Sequence, residues 1–101
     1  MQNVRMTLYA PHNGSEMHSD AHEILKVGLF STFKGYTLSY GTGSWLNPIT
    51  NTEEWEPVLI YTVITSTDNS AVFEDLAKQY KKLAGQQEVL YVIEECQARS
   101  I

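Results

Sequence analysis

Three acids, Glu53, Glu54 and Glu56, bracket Trp55 and lead into an apolar run that begins at Val58. A carboxylate held beside an aromatic ring can bind an ammonium or sulfonium group, and it can act as a base where burial raises its pKa. Glu54 and Glu56 point the same way if the strand begins early, because side chains alternate along a strand. The competing reading is a solvated edge, the usual place for acids ahead of a strand. Upstream, Tyr40 leads into Gly41-Thr42-Gly43-Ser44-Trp45. Two glycines permit positive φ and close backbone approach, so main-chain N–H groups can face a ligand. The Trp45 ring offers a π face to a flat base or a cation. The competing reading here is a bulge or hairpin end with a packing tryptophan. The segment closes a strand without opening a helix, so it is neither a phosphate loop nor a dinucleotide fingerprint.

His18 and His22 stand four apart with Glu23 adjacent, which superficially resembles a metal site. Asp20 followed by Glu23 reads as a capping box, however, and a helix starting there leaves His18 outside it. His12 falls in a separate turn, and no metal is expected. Cys96, after Glu94 and Glu95, reads as an inert small residue. No Ser-His-Asp set and no haem or flavin motif is present, so no cofactor is expected.

The elements that must carry these residues follow from periodicity. Val4, Met6, Leu8 and Ala10 alternate with Arg5, Thr7 and Tyr9, the mark of a half-buried strand that Pro11 ends. His12-Asn13-Gly14-Ser15 is turn chemistry, which is also the reading preferred for this glycosylation-like triplet. Ala21, Ile24, Leu25, Gly28, Leu29 and Phe33 recur at helical spacing, with Gly35 as the stop. Tyr36 to Tyr40 gives a second strand, followed by a polar loop from Asn47 to Glu54; Val58 to Ile64 gives a third strand. Thr67-Asp68-Asn69-Ser70 offers N-caps for a helix with Phe73, Leu76, Tyr80 and Leu83 on one face and Gly85 as its C-cap glycine. Val89 to Ile93 gives the last strand. The order βαββαβ with right-handed crossovers predicts an α+β, ferredoxin-like sandwich spanning residues 1–101: a four-stranded antiparallel sheet with two helices on one face.

Two helices cover one face of such a sheet. Yet the third strand carries Val58, Ile60 and Ile64 on one side and Leu59, Tyr61 and Val63 on the other, and the fourth sets Val89, Tyr91 and Ile93 against Leu90 and Val92. A second apolar face left in water predicts self-association; the alternative is that tyrosines and a long loop cover it within one chain. The net charge is −5, with seven basic residues scattered among twelve acids. Nucleic-acid binders show a basic stripe, and none is present. Lys78, Lys81 and Lys82 cluster beside Glu74 and Asp75, where they read as a solvated helix face. No apolar run approaches the roughly 20 residues of a membrane span. The N-terminus lacks a signal-peptide pattern and Cys96 has no partner cysteine, so a cytoplasmic location is expected.

The layout resembles the small trimeric proteins of the nitrogen-regulatory PII and divalent-cation-tolerance (CutA-type) families, in which three ferredoxin-like sheets pack face to face with ligands between subunits. The latter half, from Gly43-Ser44-Trp45-Leu46-Asn47-Pro48 through Glu54 to Tyr80-Lys81-Lys82 and Gly85-Gln86-Gln87-Glu88-Val89-Leu90, also resembles a bacterial family of this fold that supplies no activity. A sharper resemblance is to the phage enzymes that degrade S-adenosylmethionine. These pair a Thr-Gly-x-aromatic turn, here Thr42-Gly43-Ser44-Trp45, with a glutamate opening the next strand, here Glu56 or Glu54. Trp45 stands where a tyrosine is usual, which removes a hydroxyl and keeps a stacking surface. The resemblance implies a homotrimer with anti-restriction lyase chemistry, needing no metal, covalent nucleophile or cofactor. The substrate's carboxylate attacks its own Cγ, releasing methylthioadenosine and homoserine lactone. Glu54 or Glu56 would hold the cationic end, and Tyr40 with Gly41, Thr42, Gly43, Ser44 and Trp45 would cradle the rest. The PII-type alternative is a non-catalytic trimer that binds a nucleotide or other small effector.

Overall fold

The computed structural model describes residues 3–101. In chain order these form β1 (Asn3–Pro11), α1 (Glu16–Phe33), β2 (Thr37–Asn47), β3 (Thr52–Ser66), a 3-10 turn (Thr67–Asn69), α2 (Ser70–Leu83) and β4 (Leu90–Cys96). The strands make one sheet in the order β2-β3-β1-β4 with every neighbouring pair antiparallel. This is the expected ferredoxin-like sandwich. Among the described residues no helix is long and apolar enough to cross a membrane.

The alternation in β1 determines the core. Val4, Met6, Leu8 and Ala10 are all buried and meet Leu59, Tyr61 and Val63 of β3 on the same face. Ala21, Leu25 and Leu29 of α1, with Phe73, Ala77 and Tyr80 of α2, close over them. Gly28 lies where the helices press together: a Cβ there would sit 2.7 Å from Leu76 Cδ2. The other sheet face carries Thr7, Tyr9, Val58, Ile60, Leu90 and Val92, with Leu90 63% and Ile64 53% exposed.

Helix ends correct two sequence expectations. α1 is capped by Ser15, whose Oγ accepts the His18 N–H at 3.2 Å, and Asp20 lies exposed inside the helix. The earlier start follows from Asn13, whose Oδ1 takes the Ser15 N–H at 2.9 Å, with Gly14 at φ +80° making the bend. α1 ends through Lys34 in the left-handed region at φ 65°, not through Gly35. Asn69 occupies the N-cap of α2 but makes no capping bond; its amide donates instead to Thr65 Oγ1 at 2.8 Å. Gly85 behaves as expected. It adopts φ +65°, its N–H reaches Lys82 O, and the Gln86 N–H reaches Lys81 O, the paired bonds of a Schellman end.

The largest departure is the hairpin. β2 continues through the segment read as a turn, pairing without a break from Thr37↔Thr62 to Asn47↔Thr52. Only residues 48–51 connect the strands. Asn47 Oδ1 accepts the Ile49 and Thr50 N–H groups, and Asn51 adopts φ 57°. β1 stops opposite Val58, so the distal hairpin is a two-stranded arm whose sequence needs no apolar alternation.

Candidate functional site

Gly41 and Gly43 are not turn residues. Neither has positive φ; the glycines that do are Gly14 and Gly85. A Cβ at Gly41 would lie 3.3 Å from Ile60 Cδ1, and one at Gly43 would lie 3.4 Å from Val58 Cγ1. The glycines therefore let cross-strand side chains pack close, which is the packing reading of this segment. The chain here is an extended strand in a ladder, without the positive φ that the two glycines permit.

Register sorts the remaining candidates. Gly43 pairs with Glu56 and Trp45 with Glu54, so these residues share a face with Gly41. Tyr40, Thr42 and Ser44 belong to the opposite face, and Tyr40 is 76% exposed. Glu54 accepts a bond from Asn47 Nδ2 at 3.2 Å within the hairpin. Trp45 and Glu56 instead line an open cleft of about 930 Å³. Its other walls are Pro11 at the end of β1, Lys78 and Lys81 of α2, and the connection from Gly85 to β4. The two lysines read as solvated thus border the cleft, although Lys78 also pairs with Glu74 at 3.7 Å. Of the candidate set, the fold brings Trp45 and Glu56 to the cleft and leaves Tyr40, Gly41, Thr42, Gly43, Ser44 and Glu54 outside its lining. Desolvation raises the Glu56 pKa above its ordinary value, opposed by the nearby His18.

Behind the cleft lies a cluster that the capping-box reading hid. With α1 starting at Glu16, His18 and His22 fall one turn apart on the same buried face. The His12 ring sits 4.8 Å from His22 and 6.2 Å from His18. His22 Nε2 donates to Pro11 O at 3.1 Å, and its Nδ1 accepts the Tyr61 hydroxyl at 2.7 Å. The Tyr80 hydroxyl also donates to Pro11 O. A carbonyl can only accept, so Nε2 bears the proton when the ring is neutral. Burial lowers the His22 pKa, and the neighbouring His12, Lys26 and His18 push the same way against the Pro11 bond. Burial raises the pKa of both Tyr61 and Tyr80, the charge of Glu56 contributing at Tyr80. His18 Nδ1 accepts the Asn13 N–H at 3.1 Å, and its Nε2 lies 3.3 Å from Gln86 Nε2. Among the described residues, no three His, Cys, Asp or Glu side chains are arranged to hold a metal ion. The four-residue histidine spacing was the sequence signal; Ser15 as N-cap was the missing step.

No protein-family model matches the sequence, and no curated protein matches it. Solved structures do match. A DUF3240 family protein from Shewanella baltica is 12% identical over the whole of this chain and 97% of that one, with a TM-score of 0.68. A phage SAM lyase in complex with S-methyl-5'-thioadenosine is 10% identical, covering 93% of this chain and 81% of that one, also at 0.68. The GlnK–ATP complex of Bacillus subtilis is 15% identical over 94% and 82% of the two chains, at 0.62. At such identities the likeness establishes the ferredoxin-like fold shared with these proteins.

Proposed function

We propose that the cleft binds S-adenosylmethionine and that the protein is a lyase releasing methylthioadenosine and homoserine lactone. The observation that carries this reading is the meeting of Trp45 and Glu56, from two different strands, in one cleft. The Trp45 ring stacks on the adenine, and the Glu56 carboxylate faces the sulfonium or ammonium end. In the reaction a carboxylate oxygen of the substrate forms a bond to its own Cγ. The Cγ–S bond breaks, and the sulfur leaves with the electron pair as a neutral thioether. No proton is transferred. The protein's task is orientation, and an intramolecular nucleophile makes orientation the main source of rate. The likeness to a lyase bound to S-methyl-5'-thioadenosine supports this choice of ligand.

The exposed sheet face, with Leu90 and Ile64 in water, supports assembly of copies face to face, as a trimer with the cleft at a subunit boundary. Such an assembly would draw on the cytoplasmic S-adenosylmethionine pool.

Incubation with S-adenosylmethionine, followed by chromatography and mass spectrometry, tests the activity. Methylthioadenosine with homoserine lactone is the expected outcome, and unchanged substrate refutes the lyase. A second reading, a non-catalytic module for a phosphorylated effector, is favoured by one observation: Lys78 and Lys81 border the same cleft. It predicts retention of ATP with no product, which a thermal-shift titration detects.

A further inference from the structure

α1 is apolar on two sides. Ala21, Leu25 and Leu29 face the core, while Ile24, Val27 and Phe30 are exposed, Val27 at 64% and Phe30 at 60%. A helix with one buried side needs apolar residues on that side alone. Single exposed apolar residues are ordinary, but three at every third position of one helix make a continuous stripe. The stripe points away from the sheet, and no α1 residue lines the cleft, so neither the open sheet face nor the ligand site accounts for it.

We propose that this face of α1 binds the same face of a second copy, the two helices packing antiparallel about a two-fold axis at Val27. In an isologous contact, residue i meets j and j meets i. An axis through Val27 sets Ile24 against Phe30 of the second copy, Val27 against Val27, and Asp20 against Lys34. Asp20 and Lys34 are both exposed, and among the described residues Asp20 has no ion pair. Lys34 Nζ donates to Ser31 O at 2.9 Å and keeps its remaining protons for a carboxylate. The charges also choose the orientation. Parallel packing would set Asp20 beside Asp20 and Glu23 beside Glu23, a repulsive arrangement. An axis shifted to bring Lys34 opposite Glu23 would compete with Lys26, which already holds Glu23 at 3.5 Å. It would also set Ile24 opposite Phe33, which is packed against the core. The stripe from Asp20 to Lys34 runs about 21 Å along the helix, so the contact is small and its occupancy depends on concentration.

The test is disulfide trapping in a Cys96→Ser background, which leaves each chain with one introduced cysteine. Val27→Cys lies on the axis and is expected to form a covalent pair several-fold faster than Asp20→Cys, whose copies sit about 21 Å apart along the helices. One cysteine per chain caps the product at two chains, whatever assembles through the sheet. Sedimentation of the wild-type protein is expected to show mass rising with concentration to at least twice the smallest unit. Val27→Glu places like charges on the axis and is expected to weaken that association by at least about tenfold. Asp20→Lys and Lys34→Asp are each expected to weaken it, and the double variant to restore it. Val27 is exposed, so Val27→Glu is expected to keep the wild-type circular dichroism. Equal trapping of Val27→Cys and Asp20→Cys overturns the proposal, as does a mass indifferent to Val27→Glu; the stripe then serves a different partner. A double variant no better than its singles overturns the axis at Val27.

Discussion

Tyr61 and Tyr80 each give a hydroxyl to the buried polar network, but removing the two hydroxyls should cost different amounts. Phenylalanine keeps the ring in both cases, so no cavity forms and the hydrogen bond is isolated. In Tyr80→Phe the acceptor that loses a donor is Pro11 O, which still receives His22 Nε2 at 3.1 Å. The cost is the net value of one bond, about 0.5–1.5 kcal/mol. In Tyr61→Phe the acceptor is His22 Nδ1, whose one bond at 2.7 Å is to that hydroxyl. A buried nitrogen is then left with nothing to accept, a penalty of about 1–3 kcal/mol. Urea unfolding of the three proteins at pH 8 and one protein concentration measures both, the fixed concentration guarding against mass action in an oligomer. Equal slopes with a midpoint for Tyr61→Phe clearly below that for Tyr80→Phe are expected. Equal or reversed costs would refute the assignment of donors and acceptors around His22.

Glu56→Gln should lower lyase turnover by at least about 100-fold, the scale of losing one electrostatic group, with a much smaller loss for Glu54→Gln. Because desolvation raises the folded pKa of Glu56, the folded state disfavours the carboxylate, so Glu56→Gln should also raise the Tm at pH 7; a lower Tm would trace its inactivity to misfolding. Trp45→Ala should weaken S-methyl-5'-thioadenosine binding by about 1–3 kcal/mol by calorimetry, the value of one base stacked on an aromatic ring. Lys34→Gly should stabilise by up to about 1 kcal/mol in urea, because Lys34 holds φ 65° without glycine's freedom, an effect offset in part by its Nζ bond to Ser31 O. The lowered pKa of His22 means the unfolded chain takes up that proton first. Its stabilising share is complete above about pH 6.5 and is lost as pH falls from there to the folded value, visible as a declining urea midpoint that His22→Gln flattens.

The sandwich was legible because its core is written in strict alternation. Val4, Met6, Leu8 and Ala10 admit one buried face and one register, and a slip by a single residue would expose all four. The hairpin arm carries no such mark. Past Val58 it packs on no central strand, and Gly41, Gly43 and the acids looked like loop. The histidine cluster was hidden for a different reason. Asp20 and Glu23 match a capping box in type and spacing, but Asn13 and Gly14 place a competent cap five residues earlier, at Ser15. The hairpin register pairs Trp45 with Glu54, and it is the cleft lining that brings Trp45 together with Glu56.

The fold persists across proteins that share 10–15% of their residues, so it cannot distinguish a lyase from an effector module. The cleft's charges can. A phosphorylated effector suits Lys78 and Lys81 but must bring its anion into a site that also holds a partly desolvated carboxylate at Glu56. A sulfonium amino acid meets no such conflict, since its cation can face Glu56 while its carboxylate turns toward the lysines. Lys78 already has Glu74 as a partner at 3.7 Å, which leaves Lys81 the stronger of the two for that anion. The balance of charge thus favours a ligand bearing both signs over a purely anionic one, and this ranks S-adenosylmethionine ahead of a nucleotide triphosphate in the same cleft.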